Sequence, residues 1–136
     1  MSLSKEMYTD MILEYYNNPN NKGSLENPDF KFKDVNPSCG DIIEIQGKII
    51  NNNLKEIKFN GNGCAISQAS AELLTEFVKN KDIKEISKLN KENVLELLGI
   101  DLSPVRLKCA LLSLKVLKYG LYSHLGKELE SGEQYE

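Results

Sequence analysis

The hydrophobic period of this chain changes once, and that change restricts the fold more than any other feature. After a short helical segment at the start and up to Cys64, apolar residues alternate with polar ones or form short β-branched runs, which is typical of strands. After Cys64, they recur at helical spacing. The strand-like segments are 30–35, then 41–46 together with 48–50, and then 54–59. Residues 51–53 (Asn-Asn-Asn) predict a hairpin turn. Strands followed by helices predict an α+β fold, in which helices pack on one face of a three-stranded antiparallel sheet.

Five helices are predicted around this sheet. The first is short and amphipathic and runs from Ser4 to about Tyr16, with Met7, Met11, Ile12 and Tyr15 on one face. Three more cover about 65–80, 82–88 and 91–98, and the first of these places Ile66, Ala69, Leu73, Leu74 and Phe77 on one side. The last and clearest helix is long, because Ser103 is a good N-cap, Pro104 suits the first helical position and a leucine stripe follows.

Length and charge exclude several classes of protein. The 136 residues predict one domain, 1–136, with an acidic end at 128–136 that is expected to fray. The net charge of -3 argues against a nucleic-acid-binding protein, which would be basic. No apolar run approaches the roughly 20 residues that span a bilayer. The first residues lack the pattern of a signal peptide, so a cytoplasmic location is predicted.

The candidate site residues are three cysteines and one aspartate: Cys39, Asp41, Cys64 and Cys109. Cys39 and Asp41 flank a glycine, so an extended chain would point both side chains the same way. Cys64 precedes a helix, whose N-terminus stabilises a thiolate. Buried small hydrophobic residues are the plainer alternative for free cysteines, but Cys39 and Cys64 each adjoin glycine and polar residues.

The charges of these four side chains favour one shared metal site. Three thiolates and a carboxylate would leave excess negative charge around zinc, which Arg106 and Lys108 could neutralise from the second shell of the site. Thiolates also suit iron–sulfur clusters, and the oxygen ligand would make the site labile. The cysteine spacings match no zinc finger. His124 would lie on the same helix as Cys109, about 22 Å away, so it is predicted to be a surface residue.

Three motifs resemble those of the IscU/SufU family, also called NifU N-terminal-like. They are Asn-Pro-x-Cys-Gly-Asp at 36–41, Gly-x-Gly-Cys-Ala-Ile-Ser-x-Ala-Ser at 61–70, and Pro-Val-Arg-x-x-Cys at 104–109. The stretch 12–23 resembles the first helix of the family and the turn that follows it. The resemblance therefore runs from about Met7 to Leu125.

The resemblance implies an iron–sulfur cluster assembly scaffold rather than an enzyme. Members of the family receive persulfide sulfur from a cysteine desulfurase, assemble a transient [2Fe-2S] cluster and pass it to recipient apo-proteins. The residues that match the ligands of the cluster, of iron or of zinc are Cys39, Asp41, Cys64 and Cys109. Residues 102–106 (Leu-Ser-Pro-Val-Arg) resemble the stretch that IscU proteins offer to a chaperone, with serine in place of a proline.

Two features favour different branches of the family. Lys108 stands where IscU members have histidine. In this respect the chain resembles SufU members, which bind zinc and relay sulfur. The short spacing between Cys64 and Cys109 resembles IscU, because SufU members carry an insertion there. A zinc-dependent sulfurtransferase is thus the alternative function, and a purely structural zinc site fits less well. Cys39 and Cys109 are both candidate sulfur acceptors, since attack on a persulfide needs an exposed thiolate.

Overall fold

The computed structural model describes residues 5–126 and confirms the α+β fold. Its elements are α1 (Lys5–Asn17), β1 (Phe30–Asn36), β2 (Asp41–Ile50), β3 (Asn53–Asn62), α2 (Ala65–Val78), α3 (Ile83–Ser87), α4 (Lys91–Leu98) and α5 (Pro104–Leu125). Within this range no helix is long and apolar enough to cross a membrane. The acidic end at 128–136, for which fraying is predicted, lies outside the described residues.

The sheet is an antiparallel meander in the order β1-β2-β3. The predicted hairpin turn between β2 and β3 is a two-residue turn in which Asn51 and Asn52 both have positive φ, 54° and 65°. Two consecutive positive φ angles match the twist of the flanking strands, and asparagine tolerates them. A second tight turn, residues 37–40, joins β1 to β2 and carries Cys39 beside Asp41, the first residue of β2.

The apolar face of the sheet packs against α2 and α5. The strand register places Phe32, Ile45 and Phe59 side by side, and the last two are buried. Burial of a large apolar side chain contributes about 1.5–3 kcal/mol, so this layer dominates the stability of the sheet. The helical side of the same core includes Leu74 from α2 and Leu114, Leu117 and Leu121 from α5. Because α5 lies across β1 and β2, its first turns reach the end of the sheet where the turn 37–40 lies.

Three residues predicted to face the core are exposed instead. On α1, Met7 is 50% exposed and Met11 36%, whereas Ile12 is buried at 4%. The reason is that α1 packs mainly against α2, which covers a narrower stripe of the helix than the apolar pattern indicates. Phe77 is 38% exposed near the end of α2, where Lys81 Nζ lies 4.6 Å from the centre of its ring.

Candidate metal centre

The turn 37–40 presents Cys39 at the end of the sheet. The carbonyl oxygen of Asn36 accepts hydrogen bonds from the backbone N–H groups of Gly40 (2.8 Å) and Cys39 (3.3 Å), which close the turn. Gly40 has a φ of 73°, in the left-handed region that glycine adopts without strain. Cys39 is exposed at this turn. Two positions later the chain re-enters the sheet, and Asp41 is completely buried.

Asp41 is a buried carboxylate with half of its hydrogen-bonding capacity unused. Its Oδ1 accepts the backbone N–H of Cys64 at 2.9 Å, whereas its Oδ2 has no hydrogen-bond partner within the described residues. A buried polar atom without a partner costs free energy, and coordination of a cation would remove that cost. Because no donor in the described residues occupies Oδ2, this oxygen can coordinate a metal ion.

Cys64 occupies the N-cap position of α2, as the sequence predicts, and is half-buried. Its backbone N–H donates to Asp41, so the segment before α2 is tied to the first residue of β2. Gly63 is required at this junction. Its φ is 155°, and a Cβ atom there would collide with Asp41 Oδ1 and with Ser67 Oγ. The Gly-x-Gly-Cys motif therefore lets the backbone approach the carboxylate closely.

Cys109 lies on α5 and contacts the turn directly. Its Sγ is 2.7 Å from the Sγ of Cys39, and it is only 1% exposed. The thiols of Cys39 and Cys109 and a carboxylate oxygen of Asp41 all lie within 4.8 Å of one another. We call these three residues the ligand cluster. Burial raises the pKa of the Cys109 thiol, and its contacts with Cys39 and Asp41 raise it further.

The fourth predicted ligand, Cys64, lies beside the ligand cluster rather than within it. Its thiol is close enough to Cys109 to contribute to the raised pKa of that residue. It does not belong to the group of ligand atoms that are all within 4.8 Å of one another. The structure thus brings together Cys39, Asp41 and Cys109, and places Cys64 at their edge.

The two cations predicted to neutralise the site are not bonded to it. Arg106 and Lys108 are exposed on α5, and neither forms a hydrogen bond or ion pair through its side chain with a residue in the range 5–126. That Arg106 and Lys108 neutralise the charge of a metal-bound site from a distance stays a prediction. His124 is exposed on the same helix as Cys109, as predicted.

One residue that contacts the cluster has no role assigned from the sequence. Asn36, 8% exposed, directs its side-chain nitrogen Nδ2 at Cys39 Sγ (3.2 Å) and at Cys109 Sγ (3.9 Å). The sequence feature that could have identified Asn36 is its position at the start of the Asn-Pro-x-Cys-Gly-Asp motif, three residues before Cys39. Asparagine is so common in turns that the motif alone does not separate a turn residue from a sulfur contact.

The donors of this centre fit a soft or borderline metal ion. Thiolates with one carboxylate form ordinary tetrahedral zinc sites, and thiolates also hold iron–sulfur clusters. Hard cations such as calcium or magnesium require mostly oxygen ligands, which the ligand cluster lacks. The buried Oδ2 of Asp41 is available for coordination, and the exposed Cys39 leaves one side of the cluster accessible.

Several known proteins are similar to this chain along most of its length. The zinc-dependent sulfurtransferase SufU of Bacillus subtilis (strain 168) is 34% identical over 137 residues, which cover 88% of this chain and 92% of that protein. The iron–sulfur cluster assembly scaffold protein IscU of Thermotoga maritima is 35% identical over 133 residues, 86% of this chain and 94% of that one. Among solved structures, the SUF-system protein FiSufU of Fervidobacterium islandicum AW-1 superposes with a TM-score of 0.74 at 28% identity, covering 87% of this chain and 99% of its own.

A family model also matches most of the chain. The model of the NifU-like N-terminal domain matches residues 7–131, which include all three cysteine motifs. This range agrees with the extent of the resemblance seen in the motifs. The chain therefore belongs to the NifU-like N-terminal domain family.

Proposed function

We propose that this protein is an iron–sulfur cluster assembly scaffold. It takes sulfur from a cysteine desulfurase, holds a [2Fe-2S] cluster as its product and passes that cluster to recipient apo-proteins. The observation that carries the proposal is the ligand cluster itself, in which two thiols in contact lie beside a buried, unpartnered carboxylate oxygen. Relatives named as IscU scaffold proteins, matched along most of their length, support it.

The proposed ligands are Cys39, Asp41, Cys109 and Cys64. The ligand atoms of the first three all lie within 4.8 Å of one another. Cys64 is proposed as the fourth because its thiol lies beside Cys109 and its backbone is bonded to Asp41. An oxygen ligand binds a soft metal less firmly than a fourth thiolate would. Asp41 therefore suits a site from which the cluster has to leave.

We propose Cys39 as the first acceptor of sulfur. Its thiolate would attack the outer sulfur of a persulfide on the desulfurase; the S–S bond of the donor breaks, the donor cysteine leaves as a thiolate, and Cys39 carries the new persulfide. Attack requires access to the thiolate. Cys39 is exposed, whereas Cys109 is 1% exposed and in contact with Cys39, which could pass sulfur on to it.

A zinc-dependent sulfurtransferase is the second candidate function. It is favoured by Lys108, which stands where scaffold members have histidine, and by the Bacillus subtilis relative whose name states that activity. Lys108 is exposed on α5 and forms no side-chain hydrogen bond or ion pair within residues 5–126, so it adds no ligand to the site. Zinc held by the same donors would supply a charge that keeps the thiols deprotonated.

Anaerobic reconstitution separates these two functions. The metal-free protein is incubated with ferrous iron, a cysteine desulfurase and cysteine, and is followed by absorption spectroscopy and metal analysis. A scaffold acquires the absorption of a [2Fe-2S] cluster. A sulfurtransferase retains zinc that iron does not displace and accelerates turnover of the desulfurase without acquiring cluster absorption.

Matched variants connect the result to the site. Cys39→Ala, Cys64→Ala and Cys109→Ala should each abolish tight metal binding, and Asp41→Ala should weaken it. Asp10→Asn alters a carboxylate on the exposed side of α1 and should leave reconstitution unchanged. Full zinc retention by one cysteine variant would remove that cysteine from the ligand set.

The partners follow from the same proposal. A cysteine desulfurase would dock where Cys39 is exposed, at the turn 37–40. The stretch 102–106 is proposed as the chaperone site, and Val105 within it is 58% exposed and so accessible to a partner. A cytoplasmic location stays a prediction.

A further inference from the structure

The side chain of Asn36 has a fixed orientation at the ligand cluster. Its Oδ1 accepts the backbone N–H of Ser38 at 3.1 Å. Because this bond occupies the oxygen, the amide NH₂ group faces the other way, towards the sulfurs of Cys39 (3.2 Å) and Cys109 (3.9 Å). The side chain is nearly buried, so water does not compete strongly for these two N–H donors.

We propose that Asn36 is a positioning residue that donates N–H hydrogen bonds to the sulfurs of Cys39 and Cys109, and so sets how strongly these two thiolates hold a metal. Hydrogen bonds to a charged sulfur withdraw electron density from it. Groups that bond to metal ligands adjust both the affinity and the electronic properties of the metal. The inference rests on the proposed function only in requiring that these thiolates bind metal.

Closure of the turn does not require the amide donors. The backbone carbonyl of Asn36 already accepts two N–H groups, and Gly40 supplies the left-handed residue that the turn needs. The Oδ1 bond to Ser38 adds a local side-chain turn of the kind that serine can also form, more weakly. The N–H groups, in contrast, point away from the turn and at the sulfurs. The two ends of this side chain can therefore be tested separately.

A donor is useful at this place because thiolates that bind a metal would carry negative charge in a buried setting. Asp41 is completely buried and Cys109 nearly so. Arg106 and Lys108 are exposed and form no side-chain bond with the sulfurs in the described part of the chain. Asn36 is thus a neutral donor that reaches both sulfurs without adding charge. Its removal should leave both thiolates as stronger electron donors to the metal.

Cobalt(II), which takes the tetrahedral thiolate sites of zinc, is the probe. We compare Asn36→Ser, whose hydroxyl can keep the turn bond but is too short to reach the sulfurs, with Asn36→Ala, which loses both ends. The control is Asn60→Ser, since the amide of Asn60 donates to Gly23 O (2.7 Å) and to Ser24 Oγ (3.2 Å) and touches no sulfur. All variants are first checked by circular dichroism and thermal unfolding.

Both Asn36 variants should shift the sulfur-to-cobalt charge-transfer band to lower energy, because the sulfur lone pairs are no longer stabilised by N–H donors. Transfer of cobalt to a competing chelator should slow by about tenfold, the size expected when a hydrogen bond to a charged group is lost. Asn60→Ser should match the unaltered protein in both measurements.

A merely structural role gives a different pattern. Asn36→Ser would then keep the wild-type band and transfer rate, and Asn36→Ala would lose stability only. An unchanged band in Asn36→Ser with cobalt bound overturns the proposal. A wild-type protein that shows no charge-transfer band at all also overturns it, since the thiolates would then bind no metal. Failure of [2Fe-2S] reconstitution alone refutes the scaffold function and leaves the cobalt comparison valid.

Discussion

Replacement of Asp41 by asparagine should raise the stability of the metal-free protein and lower that of the metal-bound one. In the metal-free protein, Asp41 Oδ2 is buried without a partner, beside the thiol of Cys109. Asparagine keeps the oxygen that accepts the Cys64 N–H and replaces Oδ2 with a neutral NH₂ that can donate to the Cys109 sulfur. An unsatisfied buried polar atom costs about 1–3 kcal/mol, so Asp41→Asn should raise the free energy of unfolding by about that amount.

The assay is thermal unfolding with chelator and with excess zinc. For a domain of this size 1 kcal/mol corresponds to about 4 °C, so the metal-free variant should melt at least about 4 °C above wild type. With zinc the order should reverse. The variant loses a charged ligand, and each tenfold loss of affinity removes about 1.4 kcal/mol of the stabilisation that excess metal provides.

The control for this prediction is Asp34→Asn. Asp34 has a partner already, since its Oδ2 lies 2.8 Å from Lys115 Nζ, and its side chain is 29% exposed. The same chemical change there should lower stability by about 0.5 kcal/mol, equally with and without zinc. The reasoning about Asp41 is refuted if metal-free Asp41→Asn melts below wild type, because the carboxylate would then stabilise the fold without a metal.

Three further predictions concern the glycines, the surface ion pair and the histidine. Gly61→Ala should lower the melting temperature far more than Gly40→Ala, although both glycines have positive φ. A Cβ at Gly61 would collide with the β2 backbone, whereas a Cβ at Gly40 meets open space, so Gly40→Ala costs only about 1–2 kcal/mol, from its backbone conformation. Equal losses in the two variants would contradict this. The hydrogen bond that Lys115 donates to Asp34 lowers the pKa of Asp34 and raises the pKa of Lys115. Denaturant unfolding should therefore show a small stabilising contribution of this pair that is present between about pH 4 and pH 10. It should fade as the pH falls through the lowered pKa of Asp34 and as it rises through the raised pKa of Lys115, and a pH dependence identical in Asp34→Asn would argue against it. His124→Ala should bind zinc like wild type in a chelator competition, and a loss of affinity would mean that this exposed residue reaches the metal.

The period of the hydrophobic pattern was sufficient to predict the fold. Strands of alternating residues and a capped final helix are local features, so the segment 41–50 and the helix that begins at Pro104 lie where local sequence places them. The faces of the helices were less predictable. Met7 and Met11 are exposed, because the number of neighbours around α1 is set by tertiary packing and not by its own amphipathic pattern.

The hydrophobic pattern does not predict which polar residues are buried. Glu72 is 2% exposed within α2, and its carboxylate accepts the backbone N–H of Asn21 at 2.9 Å and the Asn21 side-chain N–H at 3.3 Å. These residues are far apart in sequence, so only the folded chain pairs them. Likewise, Cys39 and Cys109 are far apart along the chain, so their spacing does not predict that they are in contact. The packing of α5 on β1 brings them together.

The members of the ligand cluster differ in burial, so the cluster is accessible from one side. Cys39 is exposed, whereas Asp41 and Cys109 are closed off from solvent. Any donor of sulfur or acceptor of a cluster therefore has to approach from the side of the turn 37–40. With Asp41 as an oxygen ligand, as proposed above, such a site would release a soft metal more readily than a site with four thiolates. Because an exposed thiolate is accessible to a reaction partner, the exposure of Cys39 favours transfer over storage.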